Sequence, residues 1–140
     1  MSNDDPSMRM ISIKVPSFMQ ASIESIVNKA CETPTFNTAE SFEKDELEIY
    51  QFTNDLGDII AQHKLQTVCD NESMRQAGRR LAQAMPGRVK NQGLRDVCIQ
   101  TLHGGTITIS TVYFSRNCDK QKPNRGCYPV LVLLGIYGYR

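Results

Sequence analysis

Apolar residues recur three and four positions apart through the first half of the chain. In residues 17–31, SFMQASIESIVNKAC, this spacing puts the apolar side chains on one side of a helix, with Ser17 as its N-cap. Pro34 ends this helix, and a longer helix with a broad apolar face is predicted over residues 39–68. Gly57 lies within that face, which favours close packing against a neighbouring helix or a slight bend.

A third helix is predicted over residues 72–85. Asn71 is a good N-cap, an acidic residue follows in the first turn, and Pro86-Gly87 ends the helix. The basic residues that come directly after it are predicted to lie in an exit loop.

After Gly93 the pattern changes from helical spacing to alternation. Two strands are predicted, joined at His103-Gly104-Gly105, because paired glycines accept the positive φ of tight turns. The residues that share one face of each strand are Val97, Ile99 and Thr101 on the first, and Ile107, Ile109, Thr111 and Tyr113 on the second. A basic loop follows, and then an apolar run at residues 130–136 that is predicted to be a strand or the start of a helix.

These elements predict an α+β fold of about three helices, a β-hairpin and a terminal apolar strand or helix start. Residues 1–16 are an arm whose alternating segment MRMISIKV is compatible with a short edge strand. Residues 17–92 are the helical region, and residues 93–140 hold the hairpin and the apolar segment in one domain with it. The chain has 140 residues, of which 40% are hydrophobic and 22% charged, as expected for one globular domain.

The sequence predicts a cytoplasmic protein with no membrane partner. Its longest unbroken apolar run, residues 130–134, is far shorter than the roughly 20 residues of a membrane-spanning helix. The amino terminus MSNDDPSMRM is acidic and polar, unlike a signal peptide. The five cysteines are odd in number and irregularly spaced, so disulfides are not expected.

Charge is distributed unevenly along the chain, although the net charge is only +1. Residues 1–70 hold five Lys/Arg against twelve Asp/Glu, a net charge of −7, and residues 71–140 hold eleven against three, a net charge of +8. Such asymmetry indicates that the second half contacts an anionic partner, of which nucleic acid is the commonest. The alternative is that the two halves neutralise each other within the fold.

The basic residues of the second half span the third helix, the segment after it and both ends of the hairpin. They are candidates for contact with DNA phosphates, the alternative being a solvated basic face. The candidate DNA-binding residues are Arg75, Arg79, Arg80, Arg88, Lys90, Arg95, Arg116, Lys120, Lys122 and Arg125.

Four possible zinc ligands lie within one stretch of the second half: Cys98, His103, Cys118 and Cys127. Their spacing lacks the C-x-x-C pair of zinc fingers and ribbons, so a small metal-binding regulator is only a lesser alternative. No residue is placed to act as a base beside a thiol, and no Gly-rich phosphate loop is present. No catalytic residue is therefore predicted.

The hairpin and the apolar run resemble the amino-terminal region of bacterial insertion-sequence transposases of the Kra type. The stretch VCIQTLHGGTITISTVYFSR, a basic loop and GCYPVLVLLGI come in the order found in that family. The matching residues are Thr101, Leu102, Gly105, Tyr113, Phe114, Gly126, Tyr128, Pro129, Leu131, Leu133, Leu134, Gly135 and Ile136. The match extends loosely back to about residue 40.

The resemblance implies the DNA-binding amino-terminal region of a transposase without its catalytic core. A full-length relative would be a DDE-type enzyme whose acidic residues hold a divalent metal, but no position of this chain corresponds to those residues. The chain alone is therefore expected to be no enzyme and to need no cofactor.

The resemblance also implies that the apolar run at residues 130–136 packs against a domain missing from a truncated chain. The competing explanation is a final strand that closes the sheet of this domain. A third function class is an interaction module, in which the acidic helices self-associate into a homo-oligomer and the apolar run docks onto a partner.

Overall fold

The structure is a computed structural model, and it describes residues 7–117 and 126–136. The α+β class and the element order predicted from the sequence are confirmed. The helices are α1 (Gln20–Cys31), α2 (Ala39–Asp70), α3 (Glu72–Ala84) and α4 (Pro129–Leu133), and the strands are β1 (Arg88–Gln100) and β2 (Thr106–Asn117).

The chain before α1 differs from the prediction in two ways. Ser17 does not cap the helix, because a 3-10 turn (Ser17–Met19) comes first and α1 has Met19 at its N-cap without a side-chain hydrogen bond. The alternating segment 8–15 forms no strand, since it pairs with neither strand of the described hairpin.

Side-chain caps fix the starts of α2 and α3. Thr38 accepts a hydrogen bond from the Ser41 amide, and Ser41 Oγ accepts one from the Thr38 amide, which together form a capping box. Asn71 accepts from the Met74 amide at 3.1 Å, so the cap predicted for the third helix is confirmed. These caps satisfy amides that would otherwise lack a partner in the first helical turn.

The hairpin begins earlier than the sequence predicts. β1 starts at Arg88, so the helical region ends before residue 92 and the segment after α3 is strand instead of an exit loop. A bulge between Asn91 and Leu94 interrupts the antiparallel register, with Gly93 at φ 81° and its amide donating to Asn91 Oδ1 at 2.7 Å. This bulge interrupts the alternation of apolar and polar residues, so the sequence pattern does not reveal the first part of β1.

The core lies between α2 and the inner face of the hairpin. Ile99, Ile107, Ile109 and Thr111 are buried, as their predicted shared face requires, and Cys69 of α2 packs with the isoleucines. Gln66 of the same helix covers the outer edge of β2.

The Gln66 amide covers that edge as a neighbouring strand would. Its Oε1 accepts from the Ser110 amide at 2.7 Å, and its Nε2 donates to the Ser110 carbonyl at 2.8 Å. Gln62, one turn earlier, accepts from the Thr108 amide at 3.2 Å. The backbone of this edge therefore keeps hydrogen-bond partners although no third strand lies beside it among the described residues.

The apolar carboxy-terminal run packs inside this chain as a short helix, α4. Val130 and Leu131 complete the core, and α4 lies against β2 and against Gly78 of α3, where an added Cβ would be 3.3 Å from Val130 Cγ2. The expectation that the run finds its partner only in another domain is therefore wrong for these two residues, and so is the alternative of a closing strand. Leu133 and Leu134 remain partly exposed.

Within the described ranges, no helix combines the length and the hydrophobicity needed to cross a membrane.

Candidate nucleic-acid interface

The end of α3 and the open end of the hairpin meet at one place in the molecule. Met85, which follows α3, lines a small crevice together with Val89 of β1 and Phe114 and Arg116 of β2. Cys127 lies at the same place, because its backbone pairs with that of Phe114 at 2.9 and 3.0 Å. Basic residues on three elements are thereby brought to one end of the structure.

Five of the predicted DNA-binding residues form this basic end: Arg79, Arg80, Arg88, Lys90 and Arg116. The first four are exposed, and Arg116 is partly exposed. Arg116 shares one face of the hairpin with its cross-strand partner Val89, and Lys90 shares the other face with Ser115, so the basic end presents cations on both faces. Arg88 and Lys90 are two positions apart and so project from the same face of β1.

Among the described residues, the basic end has no internal counter-charge. No carboxylate of the described residues lies within 4.0 Å of its five cations, whereas other cations of the chain form ion pairs. From residue 71 to residue 117 the sequence contains only two acidic residues, Glu72 and Asp96. The positive potential of this end is therefore available to an external anion.

Two of the predicted residues are engaged within the fold. Arg75 donates from Nε to the Cys69 carbonyl at 3.2 Å and pairs through Nη2 with Asp70 at 3.3 Å, so it closes the end of α2. The Arg95 guanidinium lies 4.4 Å from the ring centroid of Tyr113. Arg75 in particular stabilises the helix junction and is poorly placed to reach a phosphate.

The other predicted basic residues, Lys120, Lys122 and Arg125, lie outside the described residues.

The proposed zinc ligands are not brought together. Cys98 is opposite Thr108 on β2, whereas Cys127 is beside Phe114, roughly 20 Å further along the strand. His103 Nε2 instead pairs with Asp58 Oδ1 at 2.9 Å, and Cys118 lies outside the described residues. Within the described ranges, no three Cys, His, Asp or Glu side chains are grouped as a metal would require.

The Cys127 thiol is also a poor ligand in its own environment. Burial raises its pKa and favours the neutral form, whereas metal binding requires the thiolate.

Comparisons with protein families, characterised proteins and solved structures find no match to this chain. The likeness to Kra-type transposases therefore stays a prediction from the motif residues.

Several residues of that motif have structural roles. Tyr113 and Tyr128 pack with ring centroids 5.0 Å apart, and a Cβ at Gly126 would overlap the Tyr113 hydroxyl. At the turn, the Thr101 amide donates to the Gly105 carbonyl at 2.7 Å, and a Cβ at Gly105 would overlap the Asp58 carboxylate. These residues define the hairpin and its packing, so they carry information about the fold and not about a site.

The pairing of Asp58 with His103 was not predicted from the sequence. This contact joins the middle of α2 to the hairpin turn, with exposed fractions of 20% and 27% for the two side chains. The spacing of the two residues in the sequence offers no signal for it, because the contact depends on how α2 crosses the hairpin.

Proposed function

We propose that this chain binds DNA through its basic end, as the amino-terminal region of a transposase would. The observation that carries the proposal is the group of five cations on α3, β1 and β2 that have no carboxylate partner among the described residues. Nucleic acid is the commonest large anion with which such a surface interacts. The cytoplasmic location expected from the sequence agrees with access to DNA.

The proposed interaction is electrostatic. Lysine and arginine side chains replace counterions along the phosphate backbone, and the release of those counterions drives binding. Arginine also matches phosphate with paired donors, which favours Arg79, Arg80 and Arg88 as the main contacts. Such contacts position the protein on the duplex without reading its sequence.

The test measures the affinity of the purified chain for a short DNA duplex across a salt series. Log affinity should fall linearly with log salt, with a slope of about −0.9 for each phosphate contacted. The pairs Arg79→Ala/Arg80→Ala and Arg88→Ala/Lys90→Ala should each reduce the magnitude of this slope by roughly 1.8.

Lys14→Ala/Lys44→Ala is the matched control, because it removes the same charge at two exposed positions outside the basic end. Its slope should equal that of the unmodified chain. Absence of binding at low salt by a folded chain, or an equal loss of slope in the control, would contradict the proposal.

A further inference from the structure

One face of α2 is largely exposed: Leu47, Tyr50, Gly57 and Ala61 are exposed, and Asn54 between them is half-buried. Leu47 and Tyr50 are 66% and 57% exposed, and a Cβ at Gly57 would meet nothing within 4 Å apart from the adjacent residues and backbone of its own helix. We call Leu47, Tyr50, Asn54, Gly57 and Ala61 the α2 stripe. Its alternating spacing of three and four residues is the heptad pattern of helices that pair with another helix.

The α2 stripe leads into an open groove of about 650 Å³. Ala61, Leu65 and Val68 of α2 line one side, and Leu102 of the hairpin turn and Leu134 line the other. Leu102 is 91% exposed, although it lies beside this apolar surface. The groove is therefore shaped to receive apolar side chains from outside.

The stripe and the groove complement each other within one molecule. Tyr50 lies about two turns before Gly57, and the helical wall of the groove is centred about two turns after it. If two α2 helices lie antiparallel about Gly57, Tyr50 of each copy reaches the groove of the other. A surface that fits itself in this way is the requirement for a twofold symmetric dimer.

Charges on the flank of the stripe agree with this arrangement. Glu46 and Lys64 are about five turns apart, so they project from the same side of α2. Neither forms an ion pair with any described residue. With the axis at Gly57, Glu46 of one copy lies about one helical turn, roughly 6 Å along the helix, from Lys64 of the other, within reach of these long side chains, and the symmetry produces this contact twice.

We propose that the α2 stripe and the groove are the interface between two copies of this chain, paired antiparallel through α2. The occupant of each groove is the α2 helix of the second copy, with Tyr50 as the anchoring side chain. The small residue Gly57 lies near the twofold axis, where it lets the two helices approach closely. This proposal does not depend on DNA binding, because the basic end contributes no residue to it.

The first test is the oligomeric state across a concentration series, measured by sedimentation velocity. The unmodified chain should be a dimer, and Gly57→Glu should be a monomer, because two carboxylates would meet at the axis. The open space around Gly57 means that the helix itself tolerates the change, and circular dichroism should show unchanged or higher helicity.

Gln83→Glu is the matched control, since it adds the same charge at an exposed position of α3. It should remain a dimer. An unmodified chain that is monomeric throughout the series would overturn the proposal, and so would a dimer that survives Gly57→Glu.

The second test exchanges the flanking charges. Glu46→Lys and Lys64→Glu should each weaken dimerisation by roughly tenfold, because each creates two like-charge contacts across the axis. The double variant Glu46→Lys/Lys64→Glu should restore the affinity of the unmodified chain. Failure of this rescue would overturn the antiparallel arrangement.

Discussion

Two regions of this protein differ in how deeply their side chains are buried. We call α1 with residues 39–56 of α2 the acidic arm, and α3, the hairpin and α4 with the remainder of α2 the body. All the residues of the hydrophobic core lie in the body, whereas α1 has no buried residue and the only buried residue of α2 is Cys69. The comparison teaches that one chain can combine a packed core with a pair of helices in which no side chain is fully buried.

The cation Lys29 bridges the two helices of the acidic arm, which also meet through apolar residues such as Ile26 and Phe52. Lys29 Nζ of α1 lies 2.5 Å from Asp45 and 3.1 Å from Glu48 of α2, and 3.2 Å from Glu32. The Lys29 side chain is only 10% exposed, and the hydrogen bonds to Asp45 and then to Glu48 raise its pKa. The arm is therefore expected to respond to changes in charge that leave the body unaffected.

The largest expected effect comes from the core of the body. Ile109→Ala removes a side chain that is 1% exposed and should lower the free energy of unfolding by about 2–5 kcal/mol. The control is Ile49→Ala in the acidic arm, where the side chain is 46% exposed and the loss should be below about 1 kcal/mol. Urea unfolding measures both, and equal losses would contradict the division into two regions.

An intermediate effect is expected where α2 of the body meets the sheet edge. Gln66→Met keeps the size of the side chain but leaves the amide and carbonyl of Ser110 without partners, at a cost of about 1–3 kcal/mol. Hydrogen exchange should show faster exchange of the Ser110 amide. Gln62→Met removes one hydrogen bond at a more exposed position and should lower the free energy of unfolding by less. A larger loss for Gln62→Met than for Gln66→Met would show that the Gln66 amide does not stabilise the edge of β2.

The smallest expected effect concerns Lys29 and pH. Its pKa is higher in the folded chain than its ordinary value of 10.5, so its contribution to stability is fully present below pH 10.5. The contribution is lost as pH rises further through the folded pKa. Lys29→Met should reduce the helicity measured by circular dichroism at neutral pH, and the two chains should converge at strongly alkaline pH.

The hydrogen exchange of the body core serves as the control for this comparison. Amides of β1 and β2 should exchange equally in Lys29→Met and in the unmodified chain, because Lys29 contacts only the acidic arm. A change in the hairpin would contradict the independence of the two regions.

Local signals in the sequence were sufficient for much of the fold. Asn71 and the glycines of the hairpin turn act through neighbouring backbone, so their effects could be predicted without knowing the tertiary structure. The start of β1 could not be predicted, because the bulge at Gly93 disrupts the alternation of apolar and polar residues that indicates a strand. Pro129 in the first turn of α4 and Gly135, which has a positive φ after the helix, are signals of a helix start and end. The apolar composition of the segment between them is equally typical of a buried strand, so the sequence left both possibilities open.

The candidate site was less predictable than the fold. The sequence identifies every basic residue, but it does not show that the Arg75 guanidinium binds the Cys69 carbonyl or that Arg95 lies over Tyr113. Those contacts depend on how helices and strands pack, and the same is true of the Asp58–His103 pair.

The position of Val130 and Leu131 in the core affects how the protein folds during its synthesis. The acidic arm uses contacts between residues close together in the sequence, so it can form as soon as α2 has left the ribosome. The core of the body cannot close until Val130 and Leu131 emerge, on the order of seconds after the hairpin. During that interval the isoleucines of β1 and β2 are exposed, and chaperones that bind apolar segments have their best opportunity to engage the chain.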